Sequence, residues 1–223
     1  MSAITLNRPW LEFDLGAEMQ VLSWAINRPG FTMAKRILWR EVRNDDLPQG
    51  LDVCDWLNGE LIAHKAADAV TFLTSANVTR YATATATAGR CTAQCLSTVG
   101  LSNAERVGQR IPRPNSEWGT INIALRLDCG LTQSALIEAL SIATQARTAA
   151  IIDAGVTLPT GRATGTGTDC IAVAAPAGPA LYAGLHTDIG EALGAAVYRA
   201  TEIGAQNWKA EMAVLMAAPK ARQ

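Results

Sequence analysis

Gly119-Thr120-Ile121-Asn122-Ile123-Ala124-Leu125-Arg126-Leu127, followed at Thr132 by a run that keeps a helical pattern as far as Gly155, decides the fold class. Residues 121–127 have the β-branched and apolar density of a strand. Thr132 is a good helix N-cap, and Gly155 suits the left-handed residue that closes a helix. Between those caps Leu136, Leu140, Ala143, Arg147 and Ile151 lie along one side. The same unit follows again: residues 169–175 read as a strand, and the next helix carries Ile189, Leu193, Ala196, Val197, Ala200 and Ile203. Asp188 and Glu191 have the spacing of a capping box for it. Two strand-then-helix units hint at a duplication, but their residue identity is too low to claim one.

Working outward, Thr83-Ala84-Thr85-Ala86-Thr87-Ala88 alternates strictly, so hydroxyls occupy one face of a strand and methyls the other. Gly89-Arg90 turns the chain into a second strand over residues 91–99. The small, flat surface of this hairpin faces either a planar ligand or a closely packed helix. Further upstream, six of the twelve aromatics (Trp10, Phe13, Trp24, Phe31, Trp39 and Trp56) fall in the first quarter of the chain. Residues 10–15, 19–26 and 32–42 read there as short strands, separated by Gly16 and by the turn Asn27-Arg28-Pro29-Gly30. Val53, Trp56, Leu57, Leu61 and His64 recur at helical spacing after Pro48-Gln49-Gly50. The expectation is an α+β fold: a single layered domain over residues 1–223, its sheet mostly antiparallel or mixed, with long helices packed on one face.

A chain of 223 residues with 49% hydrophobic content buries a substantial core, and no linker or low-complexity tract divides it. A formal net charge of −1 provides no basic footprint for nucleic acid or an anionic membrane. The first residues lack an apolar leader core, and no uninterrupted apolar run reaches membrane-spanning length, so a cytoplasmic location with no membrane partner is expected. Cys54, Cys91, Cys95, Cys129 and Cys170 are odd in number and scattered in spacing, which predicts free, mostly buried thiols rather than a zinc or disulfide framework. A homodimer is the base-rate expectation for a compact enzyme with this much apolar surface.

Chemistry concentrates in Ala163-Thr164-Gly165-Thr166-Gly167-Thr168-Asp169-Cys170 and, downstream, Gly184-Leu185-His186-Thr187-Asp188-Ile189-Gly190-Glu191. Hydroxyls, carboxylates and one of only two histidines meet there, among small residues that let backbone approach a ligand. His186, just before a helix whose dipole favours neutral imidazole, is either the acid/base group or a turn histidine. Asp169 either orients that histidine or activates water; otherwise it braces its own loop. Thr166 and Thr168, with Gly165 and Gly167, are assigned to substrate binding. An internal threonine acts as a nucleophile only beside a base. His64 has no paired ligand, and Gly165-Thr166-Gly167-Thr168 has no following Lys-Ser/Thr, which excludes a P-loop.

These stretches, with Gly119-Thr120-Ile121-Asn122-Ile123, Gly100-Leu101-Ser102-Asn103-Ala104 and the helical run over residues 134–154, resemble the adenosylcobinamide amidohydrolases of corrinoid salvage, most densely over residues 74–204. The resemblance implies hydrolysis of the amide joining the corrin propionate arm to aminopropanol, in adenosylcobinamide or a related cobamide such as pseudocobalamin, to release adenosylcobyric acid. It implies a corrinoid small molecule as substrate and no required cofactor, with no metal ligands assigned and metal dependence open. On this pattern His186, Asp169 and Asn122 are the catalytic set, Asn122 donating to the oxyanion. Asn103 and Glu191 join the substrate-binding group. The sequence departs from the family pattern at Asn27-Arg28-Pro29-Gly30, where the family tends to Asn-Gly-Gly, and at Asp188, where a lysine often follows His-Thr. Those departures bear on substrate preference, and they keep open a non-catalytic corrinoid carrier or an amidohydrolase of another amide.

Overall fold

The structure is a computed structural model describing residues 3–112 and 119–217. Its strands are β1 (Ala3–Asn7), β2 (Trp10–Ser23), β3 (Gly30–Glu41), β4 (Val70–Thr74), β5 (Ala82–Ala88), β6 (Cys91–Val99), β7 (Ala104–Glu105), β8 (Ile121–Leu127), β9 (Thr157–Leu158), β10 (Gly161–Arg162), β11 (Gly165–Thr166) and β12 (Cys170–Ala175). Three α-helices are described: α1 (Val53–Ala63), α2 (Gln133–Ala154) and α3 (Asp188–Ala217). The fold is α+β, as expected. One mixed sheet runs in the order β4-β3-β2-β12-β8-β6-β5, with β1 beside the first half of β2.

Most neighbours are antiparallel, but β3–β4 and β8–β12 are parallel, with Asn122 opposite Cys170 in the second pair. Parallel neighbours need a crossover, and α2 supplies it for that pair. Thr132 Oγ1 accepts from the Ala135 N–H, and Gly155 closes the helix in the left-handed conformation at φ 75°. The Ala face of β5 lies against α3, so the closely packed helix, not a planar ligand, accounts for its methyl groups.

The sheet bends back over itself at β2. Its register with β3 shifts between Asp14 and Met19, and Gly16 turns there at φ 77°. A glycine predicted to separate two strands instead makes a bulge inside one, because pairing to β3 resumes on both sides of it. The bend brings β3 and β4 onto the face of β6, β8 and β12: Trp39 and Phe72 share a core with Leu96, Ala124 and Ala172. A second core lies between the other face of β6, β8 and β12 and the helices α2 and α3. Leu57 and Leu61 of α1 cover the outer face of β2 and β3 through Trp10 and Leu38. The layers therefore run helix, sheet, sheet, helix.

Two further expectations are corrected. Cys91 and Cys129 form a disulfide across 38 residues; strand pairing, not sequence spacing, brings their Cα atoms to 5.5 Å. Cys54, Cys95 and Cys170 are free, Cys54 exposed and the other two buried. The cap of α3 is Thr187 rather than Asp188, since its hydroxyl accepts from the Gly190 N–H at 2.9 Å. Among the described residues α2 alone is long and apolar enough to cross a membrane by composition, with 44% of its most apolar window buried. It packs on α3 and β12.

Candidate active site

Four of the sequence stretches singled out above converge at the amino ends of β8 and β12. The Gly100 loop leaves β6 there, and Ala104–Glu105 pairs antiparallel with Gly165–Thr166. Thr168 donates its hydroxyl to the Gly119 carbonyl at 3.0 Å, and Thr120 donates to the Thr168 carbonyl at 2.8 Å. The loop before β12 is thus laced to the residues before β8.

Asp169 is the centre of this lacing, its side chain 6% exposed. One carboxylate oxygen accepts from the Thr166 hydroxyl and from the Ile121 N–H at 3.1 Å. The other accepts from the Arg147 guanidinium and from the Thr166 N–H at 3.0 Å. A charge this deep needs such partners. Burial pushes its carboxyl above the ordinary value, while Arg147, Thr166 and Ile121 pull the other way. Gly165 is required sterically, because a Cβ there would fall on the Arg147 guanidinium and the Asp169 carboxylate. Gly167 is exposed with open space around it.

A cavity of about 310 Å³ opens beside this centre, lined by Thr144, Arg147, Thr148, Thr164, Gly165 and Thr166 among others. Thr166 therefore sits between open space and a buried carboxylate that accepts a hydrogen bond from its hydroxyl. This is the adjacent base that an internal threonine needs. Asn122, 1% exposed, is a brace: it donates to the Leu73 carbonyl at 2.9 Å and accepts from Thr120 at 3.3 Å, tying β8 to the free edge of β4. Asn103 lies beside Gly119, and its Oδ1 is buried with no hydrogen-bond partner.

His186 does not join this group. The loop before α3 lies at the carboxyl ends of β8 and β12, where Leu131 N–H donates to the Pro176 carbonyl and Ala183 N–H to Glu138 at 2.7 Å. The six residues of β12 separate it from Asp169, about 20 Å at the usual strand rise. The expected His186–Asp169 partnership is corrected accordingly: the carboxylate is committed to Arg147 and Thr166, and the exposed imidazole is at the other end of the strand. Gly190 packs on the Gly184 carbonyl, so Gly184, Thr187 and Gly190 fit together as a tight helix start. Glu191 is exposed in its first turn. His64 stacks on Trp10 at 4.4 Å between ring centroids. Cys170 contacts Ser23 at 3.8 Å, and burial pushes its thiol up to about 11, which keeps it protonated at neutral pH.

Among the described residues one group places metal-type donor atoms within 4.8 Å of one another, namely Cys91, Asp128 and Cys129. Its sulfurs are joined to each other, at the end away from Asp169. Arg147 is the partner of Asp169 that the sequence pattern did not single out. Its signal was present: an arginine on the apolar side of α2, in line with Ala143 and Ile151, is a buried charge that demands a partner. Trp24 adds to the centre by donating to the Asp169 carbonyl at 2.8 Å.

Comparison with known proteins matches residues 2–213 to the family described as adenosylcobinamide amidohydrolase. An uncharacterized protein of Methanocaldococcus jannaschii is 39% identical over 90 residues, 39% of this chain, and the match spans about a third (35%) of that relative's length. Among solved structures, a Pyrococcus horikoshii protein matches with a TM-score of 0.46 at 10% identity, covering 87% of this chain and 76% of that one. A Burkholderia beta-aminopeptidase matches with a TM-score of 0.43 at 13% identity, covering 89% and 78%. At these scores neither likeness carries a structural or functional argument.

Proposed function

We propose, from the premise that the chain belongs to the adenosylcobinamide amidohydrolase family, that it hydrolyses the amide between the corrin propionate arm and aminopropanol in adenosylcobinamide or a related cobamide. The products are adenosylcobyric acid and the aminopropanol arm. The observation that carries the assignment of the site is the Thr166–Asp169–Arg147 cluster at an open cavity.

Water held at Thr166 passes its proton through that hydroxyl to Asp169 as its oxygen attacks the amide carbon. Arg147, lining the same cavity, supplies positive charge for the oxyanion, and the proton returns to the departing amine. The upward shift of the Asp169 carboxyl makes it a stronger base than an ordinary aspartate. Asn122 takes a bracing rather than an oxyanion role, in keeping with its burial and its bond to Leu73.

The test is incubation of the purified protein with adenosylcobinamide, with and without EDTA, reading adenosylcobyric acid by mass. Its appearance, at a rate that falls on acidification through a pKa above the usual carboxylate range, supports the reading. Bound corrinoid with no product overturns it in favour of a carrier.

A further inference from the structure

We infer that an uncovered apolar face of the sheet, running from β2 and β3 to the Thr166 cavity, is the platform on which the corrin ring of the substrate lies; this rests on the amidohydrolase reading above. The cavity itself, about 310 Å³, is at the small end of ligand pockets and holds one amide arm. The ring must therefore rest outside it, on a surface that adjoins it.

Strand alternation builds the floor. Gln20, Leu22 and Trp24 point to the face that α2 covers: Gln20 donates to the Leu131 carbonyl at 2.6 Å, and Leu22 belongs to the core under α2 and α3. Phe31 is opposite Leu22 and Met33 opposite Gln20, so their side chains share that face. Yet Trp24, Phe31 and Met33 are 46%, 41% and 47% exposed. The reason is coverage: α2 reaches β12 and β2, α3 covers β5 and β6, and the start of β3 lies beyond both. A single exposed apolar side chain is ordinary; three together on one sheet face mark a binding surface.

The helix α2 supplies the wall. Ile142, Ala146 and Ala149 line a groove with Gly194 and Ala195 of α3, so that side of α2 faces α3. Ile137, Thr144 and Thr148 share one stripe about half a turn round the helix, and so look over β2 toward β3. Ile137 is 54% exposed, and Thr144 and Thr148 also line the Thr166 cavity. Floor and wall thus lead to the same centre.

The distances suit one ligand. Alternate residues about 7 Å apart, on strands about 5 Å apart, spread Trp24, Phe31 and Met33 over a patch on the order of 10 Å across, the scale of a flat macrocycle. Trp24 donates to the Asp169 carbonyl at 2.8 Å, and the Asp169 carboxylate accepts from Thr166, so the indole is one residue away from the Thr166 hydroxyl. The propionate arm places its amide carbon three bonds, about 4 Å, beyond the ring edge. A ring on Trp24 and Phe31 covers the remaining gap with that arm and the attacking water. Its other amide arms meet the Thr144 and Thr148 hydroxyls.

The experiment measures calorimetric binding of adenosylcobyric acid, which keeps the ring and lacks the scissile amide, together with turnover of adenosylcobinamide by the same proteins. Phe31→Ser and Met33→Ser change exposed positions, and each is verified as folded by circular dichroism. Each is expected to weaken adenosylcobyric acid binding about tenfold. Ile4→Ser, at a comparably exposed apolar residue on β1, leaves that binding unchanged. Equal binding by the parent chain, Phe31→Ser and Met33→Ser overturns the platform while leaving amide hydrolysis intact. A dimer in sedimentation velocity that Phe31→Ser dissociates gives the face to a second copy of the chain and also overturns it. Adenosylcobyric acid binding that both variants weaken, with no hydrolysis of any corrinoid, leaves the platform standing and defeats the amidohydrolase reading instead.

Discussion

The two ends of the parallel β8–β12 pair are held by different forces. At the amino ends a buried carboxylate is met by a guanidinium and the Thr166 hydroxyl, the Thr168 and Thr120 hydroxyls lace the neighbouring backbone, and cavities open on either side. At the carboxyl ends Gly130 packs directly on Gly178, Gly184 on Gly190, and Cys91 is joined to Cys129. Polar partners around a buried charge beside open space are what the proposed site requires; close glycine contacts and a covalent tie make a mechanical anchor. Small residues are common to both ends, so composition alone does not tell them apart.

The largest stability effect should come from breaking the amino end. Arg147→Met leaves the Asp169 carboxylate buried without its cation, and the expected loss in a urea titration is about 3–5 kcal/mol. Adding Asp169→Asn removes the orphaned charge and should restore a large part of that loss. Additive losses in the double variant would mean that the two side chains are not coupled, and the polar half of the comparison would fail.

A smaller effect is expected at the carboxyl end. Cys91→Ser opens a 38-residue loop and should cost about 2–4 kcal/mol, with the rate of amide hydrolysis at 25 °C little changed. A loss of turnover in protein that remains folded would show that the anchor reaches the chemistry, which would blur the distinction between the ends.

Much of this fold was legible in the sequence because its strongest signals are local. The Thr132 cap, the Gly155 stop and the Thr-Ala alternation of β5 each belong to one element, and each stands where its chemistry puts it. Gly16 misled because a positive-φ glycine reads the same whether it ends a strand or bends one, and only pairing with β3 decides. The disulfide was hidden for a related reason: Cys91 and Cys129 are distant in sequence and meet only through the β6–β8 register.

At the proposed site, the loop over residues 163–170 stood out in the sequence for its hydroxyls, its carboxylate and its small residues. Its partner did not. His186 lies 17 positions after Asp169, a short interval along the chain, but a strand fills part of it and carries the two to opposite ends of the sheet. Arg147, 22 residues before Asp169, is brought onto the carboxylate by the length of α2. Sequence proximity overstated one pairing and concealed the other.

The measurement that tests this account most directly is turnover of adenosylcobinamide by Thr166→Ala and His186→Ala, each verified as folded by circular dichroism. With the chemistry at the amino ends, Thr166→Ala loses about a hundredfold or more in kcat/KM, and His186→Ala stays within about threefold of the parent chain. The opposite ranking, His186→Ala inactive and Thr166→Ala near normal, would move the active site to the carboxyl ends and contradict the account.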